Sequence, residues 1–138
     1  MKLIISALFT FFMCNICFAK NPCTNLAESS DKLQSPQLKE NISNQLRREM
    51  NVEVKNLEIL NFFKENNWSI IYAETHVSDE PLLIYNDDVL TSNYIALFSG
   101  AVSTQDEDNM KQWITDNTPG IPYKLEECFL WFAKYRGE

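Results

Sequence analysis

The chain carries four cysteines, and only Cys23 and Cys128 lie beyond its first nineteen residues. Those nineteen residues have the layout of a secretory signal peptide. Met1-Lys2 is basic, and Leu3 to Phe18 is apolar apart from Ser6, Thr10 and Asn15. Ala19 ends the stretch, and Lys20-Asn21-Pro22 follows. The apolar run falls short of the roughly 20 residues that span a bilayer. Cleavage is expected after Ala19, with Cys17 at the −3 position. A lipid anchor would need a small residue just before a cysteine, whereas Met13 precedes Cys14 and Ile16 precedes Cys17. Processing would therefore remove Cys14 and Cys17 and leave an even pair in an exported chain, which reads as a disulfide. A Cys23–Cys128 bond would close a loop of about 100 residues, worth up to about 4.7 kcal/mol in the chain-entropy model. Neither cysteine would then serve as a nucleophile.

That bond would staple the N-terminal arm to the most aromatic part of the chain. Between Pro119 and Arg136 stand Tyr123, Leu125, Phe129, Leu130, Trp131, Phe132 and Tyr135. Exposing such side chains costs roughly 1.5–3 kcal/mol each, so the segment is expected to clasp the core.

The rest divides by hydrophobic period. Residues 20–35 form a polar arm with one helical turn near Leu26–Leu33. Ser35-Pro36 is a helix start, with a capping serine and a proline at the first helical position. Leu38, Ile42, Leu46 and Met50 then follow at four-residue spacing, predicting an amphipathic helix over 36–50. From Val52 the pattern turns to strands. A run through Leu57–Phe63, the polar turn Lys64–Asn67 and Trp68–Thr75 predict a hairpin. Pro81–Tyr85 predicts a third strand. Tyr94–Val102 predicts a fourth, which its nearly continuous apolar character places at the sheet centre, with Gly100 as a bulge or close approach. Thr104 and Glu107 form a capping box for a second helix, with Met110, Trp113, Ile114 and Asn117 on one face. Thr118-Pro119-Gly120 stops that helix. A third starts at Pro122, although FLWFAKY is β-prone enough that 129–135 reads as helix or strand.

The expected fold is a single α+β domain over 36–138. A leading helix packs on a curved antiparallel sheet of about four strands, and two C-terminal helical segments follow. The order of elements over 36–103 resembles the cystatin-like and NTF2-like class. Three stretches carry a second resemblance: Asn67-Trp68-Ser69-Ile70-Ile71, Tyr94-Ile95-Ala96-Leu97-Phe98, and Pro119-Gly120-Ile121-Pro122 leading to Leu125 and Cys128-Phe129. Together they are similar to a group of small exported bacterial α+β proteins of unknown function. This resemblance implies an exported bacterial domain and carries over no catalytic residue.

Charge narrows the partners. The full chain has a formal charge of −7, with 12 Lys+Arg against 19 Asp+Glu; loss of Lys2 with the leader makes the mature 119 residues −8. Such a chain is a poor ligand for nucleic acid or anionic membranes and suits a cationic partner. No stable membrane insertion is expected once the leader is gone. No cofactor is implied, since no glycine-rich phosphate loop precedes a helix. One histidine and two oxidised cysteines leave no zinc set. Asp106-Glu107-Asp108-Asn109 and Asn86-Asp87-Asp88 lack the spacing of a calcium loop. His76, the one histidine, has Glu74 and Asp79 nearby in sequence. A nucleophilic triad would also need a serine on a recognisable elbow, and none is present. Glu74, Asp79, Asp87 and Asp88 would make a glycosidase-type pair only if the fold brought two of them together. Asn41-Ile42-Ser43 and Asn67-Trp68-Ser69 match the glycosylation pattern.

These features lead to an expectation of a non-catalytic, periplasmic or secreted binding protein. It would be an inhibitor or immunity-type protein for a cationic exported enzyme such as a cell-wall hydrolase. The contacts would come from Glu74, His76, Asp79, Glu80, Tyr85, Asp87 and Asp88 on the turns between strands. Two alternatives are a small-ligand or NTF2-like pocket between the first helix and the sheet, and a structural envelope protein.

Overall fold

The computed structural model describes residues 20–100, 102–103 and 106–136. The predicted leader and Thr104 of the predicted capping box lie outside them. The element order is α1 (Ser30–Leu33), α2 (Pro36–Met50), β1 (Glu58–Glu65), β2 (Trp68–Glu74), β3 (Leu82–Tyr85), β4 (Ala96–Phe98), α3 (Glu107–Asn117) and α4 (Tyr123–Tyr135). The four strands form an antiparallel meander in the order β1-β2-β3-β4, with helices on both faces.

Strict alternation along the strands builds two cores. Ile71, Ala73, Leu83 and Tyr85 face Leu38, Ile42 and Leu46 of α2. Ile70, Tyr72, Leu82, Ile84 and Ala96 face Met110 and Ile114 of α3 and Leu125, Cys128 and Phe129 of α4. Successive side chains of a strand point to opposite faces, so β2 and β3 are apolar throughout because both faces are covered. In β1 the register shifts between Ile59 and Asn61. Leu60 is the extra residue of this bulge. It lets Ile59 and Phe62, three positions apart, both join the α2 core.

The helix α2 starts as its sequence dictates: Ser35 Oγ accepts the Leu38 amide at 3.3 Å, and Pro36 occupies the first turn. It ends at Asn51, which takes a left-handed conformation (φ 53°). Gln45, which falls on the polar side of the sequence pattern, is buried instead. Its carbonyl oxygen accepts the Tyr94 amide at 2.9 Å and its amide donates to the Ser92 carbonyl at 3.1 Å. Asn41 donates to the Val89 and Ser92 carbonyls, so its side chain ties the β3–β4 loop to α2. Asn67, in the other glycosylation pattern, is exposed in the β1–β2 turn.

Residues 129–135 are helical within α4. The Cys23–Cys128 disulfide is formed, with Cα atoms 4.7 Å apart. It ties α4 to an arm that is itself paired to the sheet. Glu28 N–H donates to the Phe62 carbonyl and Lys64 N–H to the Leu26 carbonyl, both at 2.8 Å. The arm thus covers part of the outer edge of β1 and places Cys23 and Leu26 in the core.

The fourth strand departs from expectation. It is three residues long and forms the sheet edge, not its centre. Its apolar run reflects two covered faces: Tyr94 and Leu97 pack toward α2, and Ala96 and Phe98 toward α3 and α4. Gly100, at φ 98°, takes a conformation few other residues adopt. An added Cβ there would meet nothing within 4 Å, so it marks a change of chain direction and no close approach. In α3 the N-cap is Asp106, and Glu107 faces Lys134 at 3.3 Å and Lys111 at 3.9 Å.

Candidate functional site

The predicted contact residues fall into two groups at opposite ends of the sheet. Consecutive hairpin connections of a meander emerge at alternate ends. The β2–β3 loop therefore carries Glu74, His76, Asp79 and Glu80 at one end, and the β3–β4 loop carries Asp87 and Asp88 at the other. At about 3.4 Å per residue, the length of β2 keeps them roughly 20 Å apart. No glycosidase-type pair can join the two groups. Tyr85, also predicted as a contact, is 0% exposed and packs edge-on against Tyr94 in the α2 core. It cannot touch a partner, because its register position on β3 turns it inward. Asp88 organises its own loop: its carboxylate accepts the Leu90 amide at 2.9 Å, and its carbonyl accepts the Ser92 hydroxyl at 2.6 Å.

The loop after β2 is the one that projects. Thr75 is buried at its base, and Thr75 Oγ1 accepts the amides of Val77 (3.4 Å) and Ser78 (3.2 Å). This hydroxyl turn fixes residues 75–78 against one another. His76 takes a left-handed conformation (φ 58°), and its amide donates to Glu74 Oε1 at 2.7 Å. The ordered backbone holds Val77 outward at the tip, 47% exposed.

Acids rim this tip. Glu58 and Glu74 are direct cross-strand partners, an arrangement of like charges that destabilises a sheet. The His76 ring lies between them, Nε2 3.2 Å from Glu58 Oε1 and Nδ1 3.7 Å from Glu74 Oε1. Asp79 and Glu80 continue the rim. The histidine meets carboxylates only; no serine, threonine or cysteine side chain bonds to its ring among the described residues. Nor do three His, Cys, Asp or Glu side chains converge as a metal site among the described residues.

Glu58 and Arg136 were missed by the sequence reading. Glu58 joins the site only through the bulge at Leu60, which shifts the β1 register by one residue. Arg136 follows α4, and its guanidinium donates to the carbonyls of Glu80 and Gly100 while lying 5.2 Å over the Tyr72 ring. A long side chain bonding to distant backbone carbonyls leaves no local signal. Burial, together with the carboxylates of Glu80 and Glu74, raises the Tyr72 phenol pKa against the lowering influence of Arg136. Burial pushes the Tyr85 phenol further up.

No protein-family model, curated protein or solved structure matches the chain. The disulfide is a bond of oxidising compartments, and no helix among the described residues is long and apolar enough to cross a membrane.

Proposed function

We propose that the chain is an exported binding protein whose β2–β3 loop docks onto a cationic protein, in the manner of an inhibitor or immunity protein of a cell-wall hydrolase. The observation that carries this reading is the preorganised loop at 75–80. Its tip is an exposed apolar residue, Val77, and its rim is Glu58, Glu74, Asp79 and Glu80. An ordered loop loses little freedom on binding, which is the main way a small contact gains affinity. An apolar centre with a charged rim is the usual anatomy of a recognition patch. The acids would steer a basic partner and set its orientation, consistent with a −8 mature charge.

The test measures inhibition of cell-wall lysis by a panel of basic exported hydrolases, alongside surface-immobilised binding at low and high salt. Val77→Asp should weaken binding at least tenfold, and Glu74→Gln with Asp79→Asn should chiefly slow association and flatten its salt dependence. Binding that ignores all three changes would remove the loop from the interface.

A further inference from the structure

A groove of about 360 Å3 runs between the N-terminal arm, the outer strand β1 and the last turns of α4. That lies within the usual size range of ligand pockets, roughly 300–1,000 Å3. The arm is held in place by the Cys23–Cys128 bond and by its hydrogen bonds to β1, so the fold itself keeps the walls apart.

Asn61 enters this groove because of the bulge at Leu60. Ile59 faces α2, and strict alternation would turn Asn61 the same way. The register shift instead sets Asn61 opposite Tyr72, whose side chain belongs to the α3 and α4 face. Bulges recur beside functional sites because they re-aim a side chain in this way. The group re-aimed here is an amide in mid-strand, where asparagine is disfavoured. It is half-buried and enters no side-chain hydrogen bond among the described residues. Across the groove, Asn21 Oδ1 accepts the Cys23 amide at 2.8 Å, and Asn21 Nδ2 has no acceptor among the described residues. The Thr24 hydroxyl donates to the Asn21 carbonyl at 3.0 Å and keeps its own lone pairs open.

Trp131 and Tyr135, one turn apart on α4, complete the wall. Their ring centroids are 5.3 Å apart with planes inclined at 46°, and Tyr135 is exposed. The charges nearby are already engaged. Arg136, the one charged residue among the described lining, donates to the Glu80 and Gly100 carbonyls. Lys134 Nζ, 5.4 Å over the Tyr135 ring, is 3.3 Å from Glu107 Oε2. The lining therefore matches a ligand that is uncharged, carries groups that both donate and accept, and has an apolar face. Amides offer two donors and an acceptor, and the electron-rich faces of aromatic rings attract C–H groups.

We infer that this groove binds a neutral saccharide, with a C–H face of the sugar ring on Trp131 and Tyr135 and its hydroxyls bonded to Asn61, Asn21 and Thr24. The inference does not depend on the docking loop at 75–80. A proline-rich peptide also uses aromatic grooves, but its proline rings carry no hydroxyls for the three polar side chains.

The experiment titrates the full mature chain with N,N′-diacetylchitobiose, cellobiose and maltose, followed by heteronuclear NMR, with glycerol and a decaproline peptide as controls. Saturable shifts centred on Asn61, Trp131 and Tyr135 are expected with at least one disaccharide and with neither control. Asn61→Ala should weaken that disaccharide about tenfold, and Tyr135→Ala about fivefold. Both side chains reach solvent, and urea unfolding checks that each variant is folded. Asp87→Asn, on the β3–β4 loop, should leave the affinity unchanged. The inference is overturned if no disaccharide gives saturable shifts, if the shifts centre elsewhere, or if either Asn61→Ala or Tyr135→Ala binds as the parent does. Binding of the decaproline peptide alone at these residues would overturn it equally, in favour of a peptide groove.

Discussion

Tyr85 offers the sharpest test of the packing. It is 0% exposed, and its hydroxyl has no hydrogen-bond partner among the described residues. Gln45 lies close enough to hold the rise of the phenol pKa back somewhat, but it makes no hydrogen bond to the Tyr85 oxygen and bonds instead to the Tyr94 amide and the Ser92 carbonyl. A stranded hydroxyl costs about 1–3 kcal/mol. Tyr85→Phe removes it and leaves the ring. The space created is roughly 10 Å3, which at about 24 cal/mol per Å3 costs only about 0.2 kcal/mol. The variant should thus be more stable than the parent by about 1–2 kcal/mol at pH 7. Urea unfolding measures this directly, and a thermal midpoint should rise by about 4 °C or more per kcal/mol.

The pH dependence gives a second, independent reading. The folded phenol titrates above its unfolded value near 10 because burial disfavours the phenolate. As pH rises past about 10, the unfolded chain releases its proton first and binds fewer protons than the native state. Stability then falls by up to about 1.4 kcal/mol per pH unit for this group. Below that pH its contribution is intact. The parent should lose stability between pH 10 and 11.5 more steeply than Tyr85→Phe, so the gap between them widens with pH. Tyr72 shifts in the same direction and leaves a residual slope in both proteins. If Tyr85→Phe is destabilised by 1 kcal/mol or more at pH 7, or if the gap is constant from pH 7 to 11, the hydroxyl has a partner and the reasoning fails.

Among the described residues Tyr94 carries the other buried, unpartnered phenol hydroxyl, and Tyr94→Phe should be neutral or stabilising by the same urea assay. Replacing both Cys23 and Cys128 by Ala should lower stability by about 2–5 kcal/mol, since the bond closes a sequence separation of 105; mass spectrometry of the unreduced mature chain should find neither thiol alkylated. Ser35→Ala removes the cap of α2 and should cost about 1 kcal/mol. Phe129→Ala, at the meeting point of Phe98 and Trp113, should cost about 3–5 kcal/mol.

Much of this architecture was legible because single residues carry it. Ser35-Pro36 and the Leu38, Ile42, Leu46 row give α2 its observed bounds. The expected loss of Cys14 and Cys17 with a leader leaves one pairing, Cys23 with Cys128, and the structure has that pair bonded. The errors share one cause, namely that apolar content reports covered faces and not position in a sheet. Tyr94–Val102 is apolar yet marginal, because helices flank even the edge strand. Tyr85 sits beside the polar Asn86-Asp87-Asp88 turn yet points inward, because alternation along β3 outweighs proximity to a loop. The bulge at Leu60 has no glycine to announce it, so the Glu58–Glu74 pairing could not be read from hairpin length. The separation of the two acidic loops, by contrast, follows from strand order alone.

The strained positions separate structural turns from the candidate site. Among the described residues, three other than glycine adopt positive φ: Asn51, Asn66 and His76. Asn51 ends α2 and Asn66 turns the β1–β2 hairpin, and asparagine is suited to both because its short side chain tolerates the left-handed region. His76 ends no helix and closes no two-residue turn. Its conformation instead places its ring between Glu58 and Glu74 and turns Val77 outward. A backbone held in a sparsely populated region persists only where its surroundings enforce it. Here the Thr75 hydroxyl and the Glu74 carboxylate do so through bonds to three consecutive amides, those of His76, Val77 and Ser78. A loop needed only to join β2 to β3 could reach across without that strain. The cost of the strained shape is therefore best explained by what it presents, an apolar tip within an acidic rim.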